Sequence, residues 1–228
     1  MPASTTTPAT GATRTKATKW GDRRQRRIDI LDAARAQIAE GGYGSLNMRD
    51  LAASAGVSPA TLYSYFATKE QLFATLYAQA IRAHTDAHRP VAEAGHGLAA
   101  LLALVIEAHV ELYRSYGRYF TLWSALRHDA AAQPGGFPPE LVDELRTATR
   151  EHNRLLMDSI RAAAARDGRH VADERMVPSF LWSALTGLSD HVTSERRALD
   201  GYPAEQLVRF AADRLALAIT DPGAAPGS

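Results

Sequence analysis

Two kinds of side chain in this sequence have spacings that could do chemistry. The first kind is cationic. Arg23, Arg24, Arg26 and Arg27 lie almost side by side, and Lys69 opens a later helical stretch. Such groups can neutralise an anionic polymer, and the free N–H groups of a helix start add partial positive charge. The second kind is imidazole. His84 and His88 are four residues apart, a helical spacing that can hold a metal ion. There is no cysteine and no third ligand apparent nearby, so the expectation is an exposed helix face and no metal. His109 falls on an apolar stripe, as a hydrogen-bonded core histidine or as a polar group in a pocket. Patterns for catalysis are missing: no HExxH, no G-x-S-x-G, no glycine-rich phosphate loop. The carboxylates are scattered over predicted outer faces, and the chain reads as a non-enzyme.

Charge is distributed unevenly. The net charge of the 228 residues is +1. Residues 1–27 carry Arg14, Lys16, Lys19, Arg23, Arg24, Arg26 and Arg27 against Asp22 alone, a net of +6, which leaves −5 for the rest. A cationic end on an acidic body fits a protein that meets a polyanion at that end only. The alternative is a solubilising tail. The N-terminus has no apolar core of a secretory signal. The longest apolar run, residues 97–106, is far short of the roughly 20 residues a spanning helix needs. These features predict a soluble, cytoplasmic protein with no membrane partner.

The elements that must position these groups are helical. Residues 1–22 are rich in Thr, Ala, Pro and Gly and are expected to be a disordered basic tail. From Arg23, Ile28, Leu31, Ala34 and Ile38 recur at helical spacing, until Gly41-Gly42 ends the run. Asn47 can cap a second helix, ended by Gly56. Pro90 to Gly97 reads as a linker, closing a unit over 23–87. A larger unit over 88–221 follows, then a short disordered tail at 222–228. Its helices are expected near 98–116, 118–127, 138–160, 175–197 and 203–219. With no convincing period-2 segment, the fold class is all-α with about nine helices.

The stretch GVSPATLYSYFATKEQL, residues 56–72, starts a helix twice. Ser58-Pro59 reads as a cap followed by a first helical position, and Thr68 with Gln71 reads as a capping box. The helix between them has about two turns and is marginal alone. A helix ending at Gly56, a tight turn and a short second helix make the helix-turn-helix pattern, motif 47–66. Val57 and Leu62 would plug the angle between the helices. Ser58, Pro59, Ala60, Thr61, Tyr63, Ser64 and Tyr65 would then lie on or beside the short helix, which is small enough for a major groove ~12 Å wide. Lys69 and Arg49 would clamp phosphates, with Arg23, Arg24 and Arg27 beside them.

The segment NMRDLAASAGVSPATLYSYFATKEQLF, Asn47 to Phe73, resembles the DNA-binding domain of TetR-type transcriptional regulators. Arg49, Ala52, Ala55 to Ser58, Leu62-Tyr63, Phe66, Lys69-Glu70 and Leu72 match the family pattern. Asn47 replaces the usual Thr, Ala60 a Gly and Tyr65 a His. The resemblance implies a homodimer on a palindromic operator, usually a repressor. It also implies an all-helical C-terminal domain that houses a small-molecule effector and pairs through its last two long helices. Alternatives are a helical DNA-binding or adaptor protein without effector control, or an activator. No cofactor is expected.

Candidate pocket residues are His109, Tyr113, Tyr116, Phe120, Trp123, Met157, Phe180, Trp182 and His191. As a set they favour an apolar effector. Each sits at helical spacing, so plain core is the competing reading.

Overall fold

The structure, a computed structural model, describes residues 19–129 and 137–222, with side chains over 23–117 and 137–222. Among the described residues the chain forms eight α-helices, one 3-10 turn and a two-stranded ribbon. The helices are α1 (Lys19–Ser45), α2 (Met48–Ser54), α3 (Pro59–Tyr65), α4 (Lys69–Glu93), α5 (Leu98–Asp129), α6 (Pro139–Arg166), α7 (Val177–Thr193) and α8 (Ala204–Ala218). Strands β1 (Arg169–Val171) and β2 (Thr220–Pro222) pair antiparallel, and the 3-10 turn spans Glu195–Leu199.

Capping chemistry sets the N-terminal elements. The Asn47 side chain accepts from the backbone N–H of Arg49 at 2.9 Å and of Asp50 at 3.3 Å, starting α2. Ser58 accepts from Thr61 N–H at 3.1 Å and Pro59 takes the first helical position of α3, where its missing N–H costs nothing. Thr68 accepts from Gln71 N–H at 3.0 Å. Gln71 returns a bond to the N–H of Ala67 rather than Thr68, one residue earlier than in a standard capping box.

The α2–α3 turn depends on Gly56. Its φ is +64°, and Val57 N–H reaches Ala52 C=O at 2.9 Å while Gly56 N–H reaches Ala53 C=O at 3.1 Å. This pair of bonds is a Schellman motif, which satisfies the last carbonyls of α2 and reverses the chain within two residues.

Two apolar cores follow. The first joins α1 to α4 with the start of α6: Ile30, Leu31, Ala34, Ile38, Leu51, Leu62, Phe66, Leu72, Phe73 and Leu76 pack with Leu141 and Leu145. The second joins α5, the rest of α6, α7 and α8 around Leu102, Ile106, Ile160, Leu181, Leu185 and Leu215. Helix α4 lies along α6, and α5 lies against both α7 and α8.

Several sequence expectations differ from the structure. Helix α1 begins at Lys19, inside the segment read as tail; residues 1–18 and 223–228 lie outside the described residues. Ile28 is 40% exposed, and Ile30 takes the inward position. Gly41-Gly42 kinks the first helix, with Gly42 at φ +62°, and a last turn continues to Ser45. The Ser45 hydroxyl bridges this kink to the carbonyls of Gln37 and Gly42. Pro90 does not end α4, because its exposed position loses one internal bond and the helix resumes with Ala94 N–H on Pro90 C=O at 3.1 Å. The two helices expected over 98–127 are one, α5. At Gly117 a side chain would come within 2.6 Å of the Tyr113 ring, so this glycine makes room for the ring rather than for a break. The β1–β2 ribbon was not anticipated.

Candidate nucleic-acid interface

Helix α3 holds only Leu62 fully in the core. Ser58, Pro59, Ala60, Tyr63 and Ser64 are exposed, and Thr61 and Tyr65 half-buried. Several hydroxyls are already engaged within the helix. Ser58 Oγ and Thr61 Oγ1 lie 2.9 Å apart, and Ser64 donates to Thr61 C=O at 2.7 Å. Ser58 and Thr61 thus stiffen the first turn. Tyr63, 51% exposed, presents the largest outward surface.

Cations flank this helix on two sides. Exposed Arg23, Arg24 and Arg27 of α1 line a cleft of about 350 Å³ together with Ser64 and Tyr65. Arg23 Cζ is 5.7 Å from the centre of the Tyr65 ring, and Arg27 Cζ is 5.4 Å from that of Phe66. Both are cation–π distances, so aromatic faces orient two guanidinium groups beside α3. On the other side, Lys69 Nζ lies 4.3 Å above the Tyr43 ring, and Tyr43 donates its hydroxyl to Glu70 at 2.7 Å. Arg49 is exposed in the first turn of α2, while the Asn47 side chain is spent on capping. Sequence reasoning missed Tyr43 and Glu70, since their meeting depends on the kink after Gly42.

The described pocket candidates are spread over both cores and the surface of α7. His109 is buried, with its ring edge-on to Trp182 at 5.7 Å. Tyr113 donates to Asp190 at 3.0 Å, and its ionisation is shifted up by burial and then by that carboxylate. Tyr116 stacks between Phe73 and Tyr77, at 5.5 and 5.8 Å, joining the two cores. Met157 is in the second core. His191 pairs with Asp200 at 2.7 Å. Phe180 and Trp182 are exposed on α7. Phe120 and Trp123 lie outside the residues whose side chains are described. A cleft of about 500 Å³ opens between the α1 kink and α5 and α7, lined in part by Tyr43, Tyr113, Arg114 and Asp190.

The histidine pair on α4 is not on an open face. His88 is buried and His84 partly so, both turned to α6, where His152 meets them with ring centres 4.9 Å from His84 and 6.4 Å from His88. Burial lowers the pKa of all four histidines here, His109 to about 4 and His152 to about 3, with the neighbouring imidazoles adding to the effect on His84, His109 and His152. They are neutral at pH 7. No helix among the described residues is long and apolar enough to cross a membrane.

A braced, two-turn helix after a Schellman turn, with cations on both sides, defines a helix-turn-helix module. Residues 30–76 match the family model of bacterial regulatory proteins of the tetR family. Over those residues the chain is similar to the N-terminal, DNA-binding part of that family. An uncharacterised helix-turn-helix transcriptional regulator of Mycobacterium tuberculosis is 43% identical over 53 residues, 23% of this chain and 25% of the relative. The fatty acid metabolism regulator protein of Bacillus subtilis is 31% identical over 90 residues, 40% of this chain and 46% of that protein. The chain thus aligns with less than half the length of these relatives. Solved structures share the fold across most of the chain. A regulator from Saccharomonospora viridis, in complex with choline, has a TM-score of 0.61 at 18% identity, covering 87% of this chain and 99% of that one. The regulator FadR of Bacillus subtilis, in complex with stearoyl-CoA, has a TM-score of 0.54 at 21% identity, covering 85% and 99%.

Proposed function

We propose that this chain is a homodimeric, sequence-specific DNA-binding repressor, released from a palindromic operator by a small apolar molecule. The observation that carries the reading is the exposure of α3. One face of this helix is held by Leu62, and the opposite face is polar, outward and flanked by Arg23, Arg24, Arg27 and Lys69. Phosphate contacts from the flanking cations set register, and the outward side chains of α3 read base edges. On this reading Arg49 holds the backbone of the opposite strand.

Dimerisation is supported by α7 and α8. Phe180 of α7 is 46% exposed, and Phe210 and Leu217, two turns apart on α8, are 62% and 51% exposed. Two turns beyond Phe180, a side chain placed at Gly187 would meet nothing within 4 Å. A second copy of these helices would cover the apolar groups, with Gly187 letting the backbones approach. Phe180 thereby belongs to the interface rather than to an effector pocket. The ligands named for the choline and stearoyl-CoA complexes support a small-molecule effector without choosing between their chemistries.

The test is selection from a random duplex library at about 0.15 M salt, followed by affinity measurement on the selected sequence. A palindromic consensus bound about 10³-fold or more tighter than scrambled duplex is expected. Equal affinity for all duplexes would leave an adaptor or a non-specific binder.

A further inference from the structure

The fold brings together histidines that lie far apart in the sequence. His84 and His88 project from α4 onto His152 of α6, with ring centres 4.9 and 6.4 Å from it. Imidazole nitrogen is a common ligand of divalent transition metals, and two facing helices gather three such rings here.

The hydrogen bonds fix two of the tautomers. Thr85 gives its one hydroxyl proton to Ile81 C=O at 2.8 Å, so at 3.3 Å from His152 Nδ1 it must accept. His152 therefore carries its proton on Nδ1 and keeps the lone pair on Nε2. Ser159 likewise donates to Leu155 C=O at 2.7 Å and accepts from His88 Nε2 at 3.2 Å, which leaves the lone pair of His88 on Nδ1. A hydroxyl or carbonyl partner that holds one ring nitrogen and leaves the other basic is the usual support of a metal-bound histidine.

Among the described residues no three donors already converge on a point. The shortfall is small. Metal–nitrogen bonds of 2.0–2.1 Å put the ring centres of two co-ligating imidazoles about 5–6 Å apart. The His84–His152 separation is 4.9 Å and the His88–His152 separation 6.4 Å. Closing the set requires the rings to rotate so that their free nitrogens face one point.

We propose that His84, His88 and His152 bind a divalent transition metal that favours imidazole nitrogen, such as zinc, cobalt or nickel. The site ties α4 to α6, and α4 carries Lys69 at its other end. Metal occupancy is then a signal that α4 can transmit to the DNA-binding face; this consequence rests on the DNA-binding reading above.

Cobalt(II) is the probe, added to the full chain after stripping with a chelator. Expected are one equivalent per chain and the intense visible absorption of a tetrahedral site, reversed by zinc. His84→Ala and His152→Ala should abolish the spectrum, and Thr85→Val should weaken cobalt affinity about 10-fold or more. His170→Ala, at an exposed position on β1, should leave it unchanged. Thermal melts of the stripped proteins identify any variant that fails to fold, and Thr85→Val then carries the test. No visible bands in the parent protein, or bands that survive both alanine variants and Thr85→Val, would overturn the site. In a second titration, zinc should change operator affinity of the parent but not of His152→Ala. An unchanged affinity with cobalt bound overturns the signalling role. Absence of any operator binding, with the cobalt spectrum intact, counts against the regulator reading and not against the site.

Discussion

Lys69 Nζ rests 4.3 Å above the ring of Tyr43, whose hydroxyl is anchored to Glu70, the next residue along α4. The end of α1 thus fixes the cation at the start of α4, beside the N-terminal N–H groups that also attract phosphate. Tyr43 is in turn edge-on to Phe73 at 4.9 Å, and Phe73 reaches Tyr116 of α5. The proposed phosphate clamp is therefore linked through Tyr43 and Phe73 to α5.

Replacing Lys69 by alanine should weaken binding about evenly across sequences and reduce the slope of log affinity against log salt by about 1. Tyr43→Phe keeps the ring and loses the Glu70 bond. Tyr43→Leu loses both and should weaken binding more, while leaving sequence preference unchanged. Fluorescence anisotropy over a salt series reads each effect.

Side chains on α3 should behave differently. Tyr63→Ala, Thr61→Ala or Tyr65→Ala should relax preference at particular base pairs, with losses of about 1–3 kcal/mol on the parent operator and little change on random duplex. Thr61→Ala also removes the hydroxyl that contacts Ser58, so its melting point must be compared with that of the parent.

Gly56→Ala isolates the cost of the turn. At φ +64° an added Cβ would meet nothing within 4 Å, so the penalty is conformational and not steric crowding by neighbours. Destabilisation of about 1–2 kcal/mol is expected in chemical denaturation, with loss of the Schellman geometry that aims α3.

Gly187→Arg tests the association surface. The position is open in the single chain, so the variant should fold with an unchanged helical spectrum yet sediment as a monomer. Operator affinity should fall steeply, because two half-sites are no longer bound together.

The buried imidazoles make the metal-free protein acid-sensitive. The folded pKa of His109 and of His152 is depressed below the unfolded value of 6.5, so between these values the unfolded chain binds more protons. Their stabilising effect is complete above about pH 6.5 and is lost as pH falls toward about 4 for His109 and about 3 for His152. In chelator, the denaturation midpoint should drop steeply from pH 7 to pH 4, and less steeply in His109→Gln.

Local signals carried much of this architecture. Asn47, Ser58-Pro59 and Thr68 set helix starts through side chains within three residues of the backbone they cap, and each cap is present in the structure. Gly56 likewise acts on its own turn. What was not legible depended on distant contacts. Pro90 and Gly117 look like breaks because the sequence does not show the solvent beside one or the Tyr113 ring beside the other. The β1–β2 ribbon is three residues a strand and is fixed by Arg169 reaching Thr220 at 2.6 Å, 51 residues further along the chain. His84 and His88 looked solvent-facing because His152 is more than 60 residues away. Helical spacing alone does not show that Phe180 and Trp182 lie exposed on α7.

Hydroxyl-radical footprinting of the protein on its selected operator tests the central claim most directly. Two equally protected patches are expected, centred one helical turn or a whole number of turns apart, about 34–36 Å per turn. Both patches should vanish together on Gly187→Arg. A single patch, or uniform protection along any duplex, would contradict the account of a paired recognition helix.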